Sequence, residues 1–250
     1  MGPGLGQDSL RTAVAAAGIE AEPVFHEAVG STSIEAMRLA EAGAPEWTIV
    51  ATNHQTAGRG RLGRTWVTPA GTALTFSTIL RPPLPPGAAA LVSLLAAAVM
   101  AEAAGAVCKW PNDLLVGERK VAGLLAEASV EDGALRHLVL GIGVNVGAAA
   151  EDLPEGATSL ALEGLHTSPP ALLGRYLGRF RPAYRPAEPS FAETVLAAYR
   201  ERCATLGRRV RARTTAGDVI EGTATDIDSV GGLVTDAGTV AFGEIEHLEA

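Results

Sequence analysis

Of the 20 lysines and arginines in this chain, only Lys109 and Lys120 are lysine, and they flank one segment, KWPNDLLVGERKVAGLLAE, at positions 109–127. An ammonium is a compact charge on a flexible stem, whereas a guanidinium is a planar fork, so the two do not substitute freely. Asn112, one of three asparagines in the chain, and Asp113 follow Pro111 between the lysines. Upstream, residues 58–66 read GRGRLGRTW. No carboxylate occurs from Trp47 to Ala101, while Arg59, Arg61, Arg64 and Arg81 do. In a chain of net charge −8 this is a local positive field. Glycine lets backbone N–H groups approach an oxyanion, and arginine forks bind phosphate or carboxylate through paired hydrogen bonds. The stretch reads as a flexible anion-binding loop; the bland reading is a solvated surface loop.

Two other readings of the loop fail on context. Gly58, Gly60 and Gly63 satisfy the dinucleotide pattern GxGxxG, and with Arg64 and Thr65 they approach a P-loop in which Arg stands for the required Lys. Both motifs need a helix directly after the glycines, because the helix N-terminus holds the phosphate. The residues that follow, TWVTPAGTALTFSTIL, are β-branched, Pro-broken and strand-like, and the next acid after Gly63 is Glu102. No Cys–His or Ser–His nucleophile pair stands out. His26, His54, His137, His166 and His247 lack metal-ligand spacing and read as structural or surface groups.

The elements that must position these groups follow from pattern. A short helix is expected over 8–18, a strand over Val24–Glu27, and a helix after Ser31, with Thr32 and Glu35 at capping-box spacing and Gly43 as its stop. Thr48–Asn53, Trp66, Leu74–Leu80, Val107–Trp110, Leu114–Val116, Lys120–Ser129 and Leu135–Val146 read as strands joined by turns. That is a meander, so the sheet should be mainly antiparallel. A buried helix is expected over 87–104, a mobile loop over Gly147–Gly156, and helices over 169–180 and 191–206, the second with Ser190 as N-cap and Glu193 at capping-box spacing. After Gly207 short apolar runs alternate with turns such as Val-Gly-Gly, as in a small β-barrel. The expected fold class is α+β, a mainly antiparallel mixed sheet with helices on one side plus a small C-terminal barrel. The expected domains are 1–206 and 207–250.

Composition bounds the function. Apolar residues make up 47% and charged residues 19%, as in a soluble globular chain. High Ala, Gly and Arg with scarce Lys and Asn also reflects a GC-rich coding bias. The net charge of −8 argues against general nucleic-acid binding. Cys108 and Cys203 are lone residues without metal or redox spacing, which fits small buried groups in a reducing cytosol. No basic-then-apolar leader opens the chain. The uncharged run Pro82–Ala101 begins with four prolines in five residues, which leaves too short a helical stretch to span a bilayer.

With these residues in view, the chain resembles the biotin protein ligases. GRGRLGRTW, with Gln55 before it, is similar to their glycine-rich motif. KWPND at 109–113, RKVAGLLAE at 119–127 and GIGVNV at 141–146 are similar to the next three motifs, in order. Ser31-Thr32-Ser33 resembles their Ser-Thr-Asn motif with Ser33 in place of the usual Asn, and Ala157-Thr158-Ser159-Leu160 fits a further segment. The similarity covers about residues 25–160, and the terminal barrel resembles the family's SH3-like domain. Regulatory members carry a helix-turn-helix before the catalytic part; the residues before Ser31 are too few for it, which is expected of the enzyme-only form.

The resemblance implies a fold like that of class II synthetases and an ATP-dependent, two-step reaction. Biotin is activated as biotinyl-5′-AMP and passed to a lysine of a biotin carboxyl carrier protein, with Mg²⁺ accompanying ATP and no tightly held cofactor. It implies that Lys120, Arg61, Lys109 and Asp113 serve catalysis, Asp113 being the one candidate for metal. Ser31, Thr32, Ser33, Gln55, Arg59, Gly60, Arg61 and Lys120 would hold biotin. Arg59, Arg61, Arg64, Trp66, Lys109, Asn112 and Asn145 would hold ATP or the adenylate. Each has a plainer reading beside it: helix capping for Ser31 and Thr32, turn formation for Asn112 and Asp113, core packing for Trp66, a strand-end turn for Asn145. The partners expected are the carrier protein and the small molecules, with no nucleic acid or membrane, in a cytoplasmic monomer or homodimer. The alternatives are a lipoate or octanoate ligase or transferase of the same fold, and a non-catalytic biotin- or nucleotide-binding regulator.

Overall fold

Seven strands build the main sheet: β1 (Val24–Val29), β2 (Ile49–Gln55), β3 (Ala73–Leu80), β4 (Val107–Lys109), β5 (Asp113–Val116), β6 (Arg119–Glu131) and β7 (Ala134–Asn145). The structure is a computed structural model that describes residues 4–214, 217–241 and 243–248; the outer ends of both expected domains lie outside them. The strand order is β1-β2-β3-β7-β6-β5-β4. Only β1 and β2 run parallel, because the helix α2 (Thr32–Glu41) carries the chain back between them. The other neighbours are antiparallel, as the meander requires.

Side chains alternate across each strand. On one face Ile49, Leu74, Phe76, Leu140 and Ile142 join the main core. Four helices cover it: α1 (Gln7–Ala16), α3 (Ala89–Ala104), α4 (Pro169–Ala183) and α5 (Phe191–Arg202). On the opposite face Val50, Ile79 and Val139 form a second, smaller cluster with Ala36 and Ala40 of α2. The expectation of helices on one side is therefore corrected for α2. Strands β2, β3 and β7 are apolar on both faces at that point, and α2 covers the second one. Further along the same face, toward Asn145, the residues become small or polar: Thr75 and Ser77 on β3, Gly141 and Gly143 on β7. Only the first turn of α2, Thr32 and Ser33, reaches this ground, and the site lies there.

α3 is apolar nearly all round, with Glu102 its one charged residue. With the single turn before it, it makes a helical run Pro86–Ala104 of 19 residues, long enough by itself to cross a membrane, but 67% buried against the rest of the protein. It is a core helix. Other local expectations shift by tertiary context. α5 ends at Arg202, and Cys203 turns extended to pair with Cys108. Ser190 is helical and makes no side-chain cap bond. No capping box forms at α2, because Thr32 is drawn to Gln55 and Ser77 while Glu35 pairs with Arg38. Trp66 lies outside the strands, next to an isolated bridge between Arg59 and Thr65. The Ala/acid-rich segment makes one tight turn at Ala150–Asp152 and then docks on β6, where Lys120 N donates to Gly156 O at 2.9 Å and Thr158 N donates to Lys120 O at 2.8 Å.

The C-terminal strands β8 (Arg209–Thr214), β9 (Val219–Ile227), β10 (Leu233–Thr235), β11 (Gly238–Val240) and β12 (Gly243–His247) form an antiparallel sheet in the order β11-β10-β9-β8-β12. Among the described residues no ladder joins β11 to β12. This unit grips the segment that holds Lys109. The indole Nε1 of buried Trp110 donates to Gly231 O at 2.9 Å, and Trp110 N donates to Thr205 Oγ1 at 3.0 Å. Arg200 of α5 reaches Asp226 at 2.6 Å. The small sheet and the main sheet thus share one corner, and the cleft opens beside it.

Candidate active site

A cleft of about 380 Å³ lies on the face that α2 leaves bare, between β3, β7 and β6, loop 58–66 and strands β8 and β12 of the small sheet. Its floor is backbone. Gly123 on β6 and Gly143 on β7 are register partners, and the ring of Trp66 lies on them. A methyl at Gly143 would stand 2.6 Å from the ring, and one at Gly123 3.3 Å from it. Non-bonded carbons settle at about 3.5–4.0 Å, so at Gly143 only glycine permits this contact, while at Gly123 a β-carbon would press lightly on the ring. The loop that delivers Trp66 is built by its own glycines. Trp66 N donates to Gly58 O at 3.0 Å and Gly60 N donates to Arg64 O at 2.7 Å. A methyl on Gly58 would meet the Trp66 carbonyl at 2.3 Å. At the apex Leu62 takes φ 52°, ψ 37°, a left-handed conformation that β-carbons resist by about 1–2 kcal/mol.

Around this slab stand the cations. Lys120 Nζ lies 5.8 Å from the centroid of the Trp66 ring and 2.6 Å from Asp113 Oδ1. A cation at this distance is attracted to the ring face. Arg59 pairs with Glu127 at 2.8 Å, and Arg64 with Glu244 of β12 at 2.8 Å. Arg61 differs from both: its Nη1 donates to two neutral oxygens, Asn112 Oδ1 and Gly243 O, each at 3.1 Å. Burial pulls its pKa below the ordinary guanidinium value, against the attraction of Glu244 and Asp113. It stays charged, and its charge is the least compensated of the three. Asn112 is itself fixed, because its Nδ2 donates to Leu124 O at 2.9 Å and its backbone O accepts from Leu124 N at 2.9 Å. Lys109 lines the same wall. Near it, burial first and then the charges of Lys109 and Arg208 push the imidazole of His247 down to about 4, so it is neutral at physiological pH and adds no charge to the wall.

The other end of the cleft is neutral and polar. Thr32 donates twice to Gln55 Oε1, from its backbone N at 2.8 Å and from Oγ1 at 3.2 Å. Ser33 lies beside it, 3.1 Å from Ser77 Oγ. One long slot therefore joins a neutral hydrogen-bonding end, an indole-lined middle and a cationic end. It suits a molecule with a polar head, an apolar body and a carboxylate or phosphate tail. Among the described residues no cluster of three or more His, Cys, Asp or Glu could hold a metal ion.

Comparison with known proteins agrees with this shape. Residues 30–145 match the model of the Biotin/lipoate A/B protein ligase family, and residues 205–248 match the Biotin protein ligase C terminal domain. The chain is 35% identical over 238 residues to the biotin–[acetyl-CoA-carboxylase] ligase of Mycobacterium tuberculosis, covering 88% of this chain and 86% of that protein. The chain belongs to the biotin protein ligase family. It is also 34% identical over 224 residues to the bifunctional ligase/repressor BirA of Bacillus subtilis, covering 85% of this chain and 69% of that protein. The biotin protein ligase of Aquifex aeolicus in complex with biotin and ATP superposes with a TM-score of 0.71 at 26% identity, over 91% of this chain and 99% of that one.

Within this family member, most residues singled out from sequence converge on the cleft. Thr32, Ser33, Gln55, Arg59, Gly60 and Arg61 line it, as do Arg64, Trp66, Lys109, Asn112, Asp113 and Lys120. Two do not. Ser31 is buried at the N-cap of α2 and makes no side-chain cap bond there. Asn145 is buried under the cleft's far edge, where its Nδ2 donates to Thr158 O at 2.9 Å. It ties β7 to the segment that docks on Lys120 and does not line the cleft, and its buried Oδ1 has no hydrogen-bond partner among the described residues. Sequence reasoning missed the floor, Gly123, Gly141 and Gly143. The signal was there: glycines at alternate positions of a strand mark a close approach to its face. It also missed Arg211, Arg213 and Glu244 from the small sheet, which carry no local motif. Gly143→Ala should displace Trp66 and reduce ligand affinity at least about tenfold, roughly 1.4 kcal/mol, while the melting midpoint falls by only a few degrees. Titration of biotin into the folded variant checks this, and unchanged affinity would refute the role of the bare floor.

Proposed function

We propose that this protein is a biotin–[biotin carboxyl carrier protein] ligase: it joins biotin to ATP as biotinyl-5′-AMP and transfers the biotinyl group to a carrier lysine. The observation that carries the reading is the slot itself, with its neutral polar end, its Trp66-covered middle and its cationic end in that order. A carboxylate oxygen attacks the α-phosphorus and pyrophosphate leaves. The carrier's neutral amine then attacks the acyl carbon, expels AMP and loses a proton. The first step brings an anion to a polyanion, so preorganised positive charge has the most to supply. Lys120, held by Asp113 beside the Trp66 ring, is placed where the body of the ligand meets its charged end. Its compact ammonium follows an oxygen that changes partners from carboxylate to mixed anhydride. Lys109, Arg59 and Arg64 face the phosphates.

Magnesium fits as the ion that travels with ATP. Mg²⁺ keeps several waters and takes one or two carboxylates plus substrate phosphates, and Asp113, paired with Lys120 at 2.6 Å, would be the carboxylate that holds it. We take Gly207 as the boundary between a catalytic domain and the SH3-like domain. Two buried, unbridged thiols suit a cytosolic setting. The lipoate or octanoate reading is disfavoured by the match to the biotin ligase C-terminal domain over residues 205–248.

The test is one incubation of the chain with ATP, a carrier domain, and biotin or lipoate, read by intact mass and pyrophosphate release. Mass gain with biotin alone is expected; gain with lipoate, or none with either, would overturn the reading. In the same assay Lys120→Arg keeps the charge but sets a planar fork where a point charge must move. Adenylate formation should fall at least about tenfold, or ~1.4 kcal/mol in the barrier, and a near-normal rate of pyrophosphate release would rule this role out.

Arg61 ties the loop to both Asn112 and the small sheet, which makes it the natural latch over the intermediate. An activated anhydride must be kept from water until the amine arrives. Arg61→Gly removes charge-assisted contacts worth about 1.5–3 kcal/mol, so release of the adenylate should rise more than its synthesis falls. Mass spectrometry of a bystander protein should then show stray biotinylated lysines; labelling at the wild-type level would sink the latch.

A further inference from the structure

Ser77 sits in the middle of β3, fully buried, and does not line the cleft. Its hydroxyl nevertheless touches two residues that do, Thr32 and Ser33. Ser77 Oγ is 2.8 Å from Thr32 Oγ1 and 3.1 Å from Ser33 Oγ. The directions of these bonds follow from one fixed point. Thr32 N is a backbone donor and cannot accept, so the Gln55 atom 2.8 Å from it must be the carbonyl oxygen. Thr32 Oγ1 gives its single hydrogen to that same oxygen, so it must accept from Ser77. Ser77 then has no hydrogen left for Ser33, and Ser33 must donate to Ser77. The chain runs Ser33 to Ser77 to Thr32 to Gln55, every hydroxyl hydrogen committed and every one pointing the same way.

We infer that Ser77 is a positioning residue which, through this one-way chain, sets the hydrogen-bonding polarity of the neutral end of the cleft and thereby selects a urea. With Oε1 occupied, Gln55 offers its amide N–H groups, which are donors. With its hydrogen drawn inward, Ser33 offers lone pairs, which are acceptors. A group that carries a carbonyl oxygen beside an N–H satisfies both; a dithiolane or an alkyl end satisfies neither. Without Ser77, the Ser33 hydrogen is free to swing outward and meet the ligand's N–H donor to donor. Gly141, the register partner of Ser77 across β3 and β7, keeps the room for this chain: a methyl there would stand 2.6 Å from Ser33 Oγ and 3.3 Å from Ser77 Oγ. The first glycine of GIGVNV thus serves the hydroxyl chain and the second serves Trp66. The shorter Ser33, where the resemblance expects Asn, is the length that lets its oxygen reach Ser77.

The inference rests on the biotin reading, and the experiment separates the two. Biotin is titrated into the full chain by calorimetry without ATP, and adenylate formation is then followed by pyrophosphate release. Ser77→Ala should weaken biotin binding and raise its KM at least about tenfold, as expected when buried partners are lost. The kcat at saturating biotin and the KM for ATP should stay within about twofold. Ser77→Thr, which keeps the hydroxyl, should retain affinity, and Ser77→Cys, a weak donor of similar volume, should behave like Ser77→Ala. Since the hydroxyls act as a unit, adding Ser77→Ala to Thr32→Val should cost less than about twofold more. Wild-type affinity in Ser77→Ala and Ser77→Cys would overturn the proposal, and so would a parallel loss of kcat and of ATP affinity, the mark of general damage. Wild-type protein that does not bind biotin would overturn the function itself, and the role of Ser77 with it.

Discussion

An indole lying directly on bare backbone is the constraint from which the cleft follows. The Trp66 ring can lie on the sheet because Gly143 presents no β-carbon and its ladder partner Gly123 leaves the ring room beside it. That contact anchors one end of loop 58–66, and the loop's own turn, from Gly60 N to Arg64 O, sets where its arginines point. Lys120 then stands against the ring face with Asp113 beside it. The cationic end of the cleft is thus referred to the sheet through one aromatic side chain, while the loop backbone bonds mainly to itself, from Gly58 to Trp66 and from Gly60 to Arg64.

The arrangement divides labour among the three loop arginines. Arg59 and Arg64 already face carboxylates, Glu127 and Glu244, and half-exposed pairs of this kind contribute little stability, about 0–1 kcal/mol. They can exchange a carboxylate for a phosphate at small cost. Arg61 faces an amide and a backbone carbonyl instead. Neutral partners orient its fork without cancelling its charge, so its attraction for an incoming anion is preserved. The small sheet takes part directly, because Gly243 and Glu244 hold the loop and Gly231 holds Trp110. The C-terminal unit is a wall of the site as well as a neighbour of it.

Position along one sheet face also explains how α2 and the cleft coexist. Val139, Gly141 and Gly143 follow one another on the same side of β7. The first packs against α2, the second leaves room for Ser33 and Ser77, and the third receives Trp66. A single strand thus passes from core to polar socket to aromatic slab in five residues, by the size of its side chains alone.

Much of this was legible in the chain before any coordinates. The meander, the apolar helix over 87–104, the strand-rich C-terminal unit and the pairing of an Arg/Gly loop with two isolated lysines all rest on local signals: periodicity, turn residues, charge and residue type. The lining of the cleft by Lys109, Lys120, Asn112 and the loop arginines follows from motifs that each occupy a few consecutive residues. What the sequence could not decide is which side chains meet across long separations. Asn145 reads equally as a site contact or a strand-end turn residue, and only the fold gives its Nδ2 the Thr158 carbonyl. Thr32 reads as a cap until Gln55 and Ser77 claim its hydroxyl. Ser77 reads as an ordinary residue in an apolar strand until Thr32 and Ser33, more than forty positions away, come within hydrogen-bond distance. Local pattern reports what a residue can do; only the packed sheet determines which partner it finds, because hydrogen bonds and van der Waals contacts act over a few ångströms of space, whatever the distance along the chain.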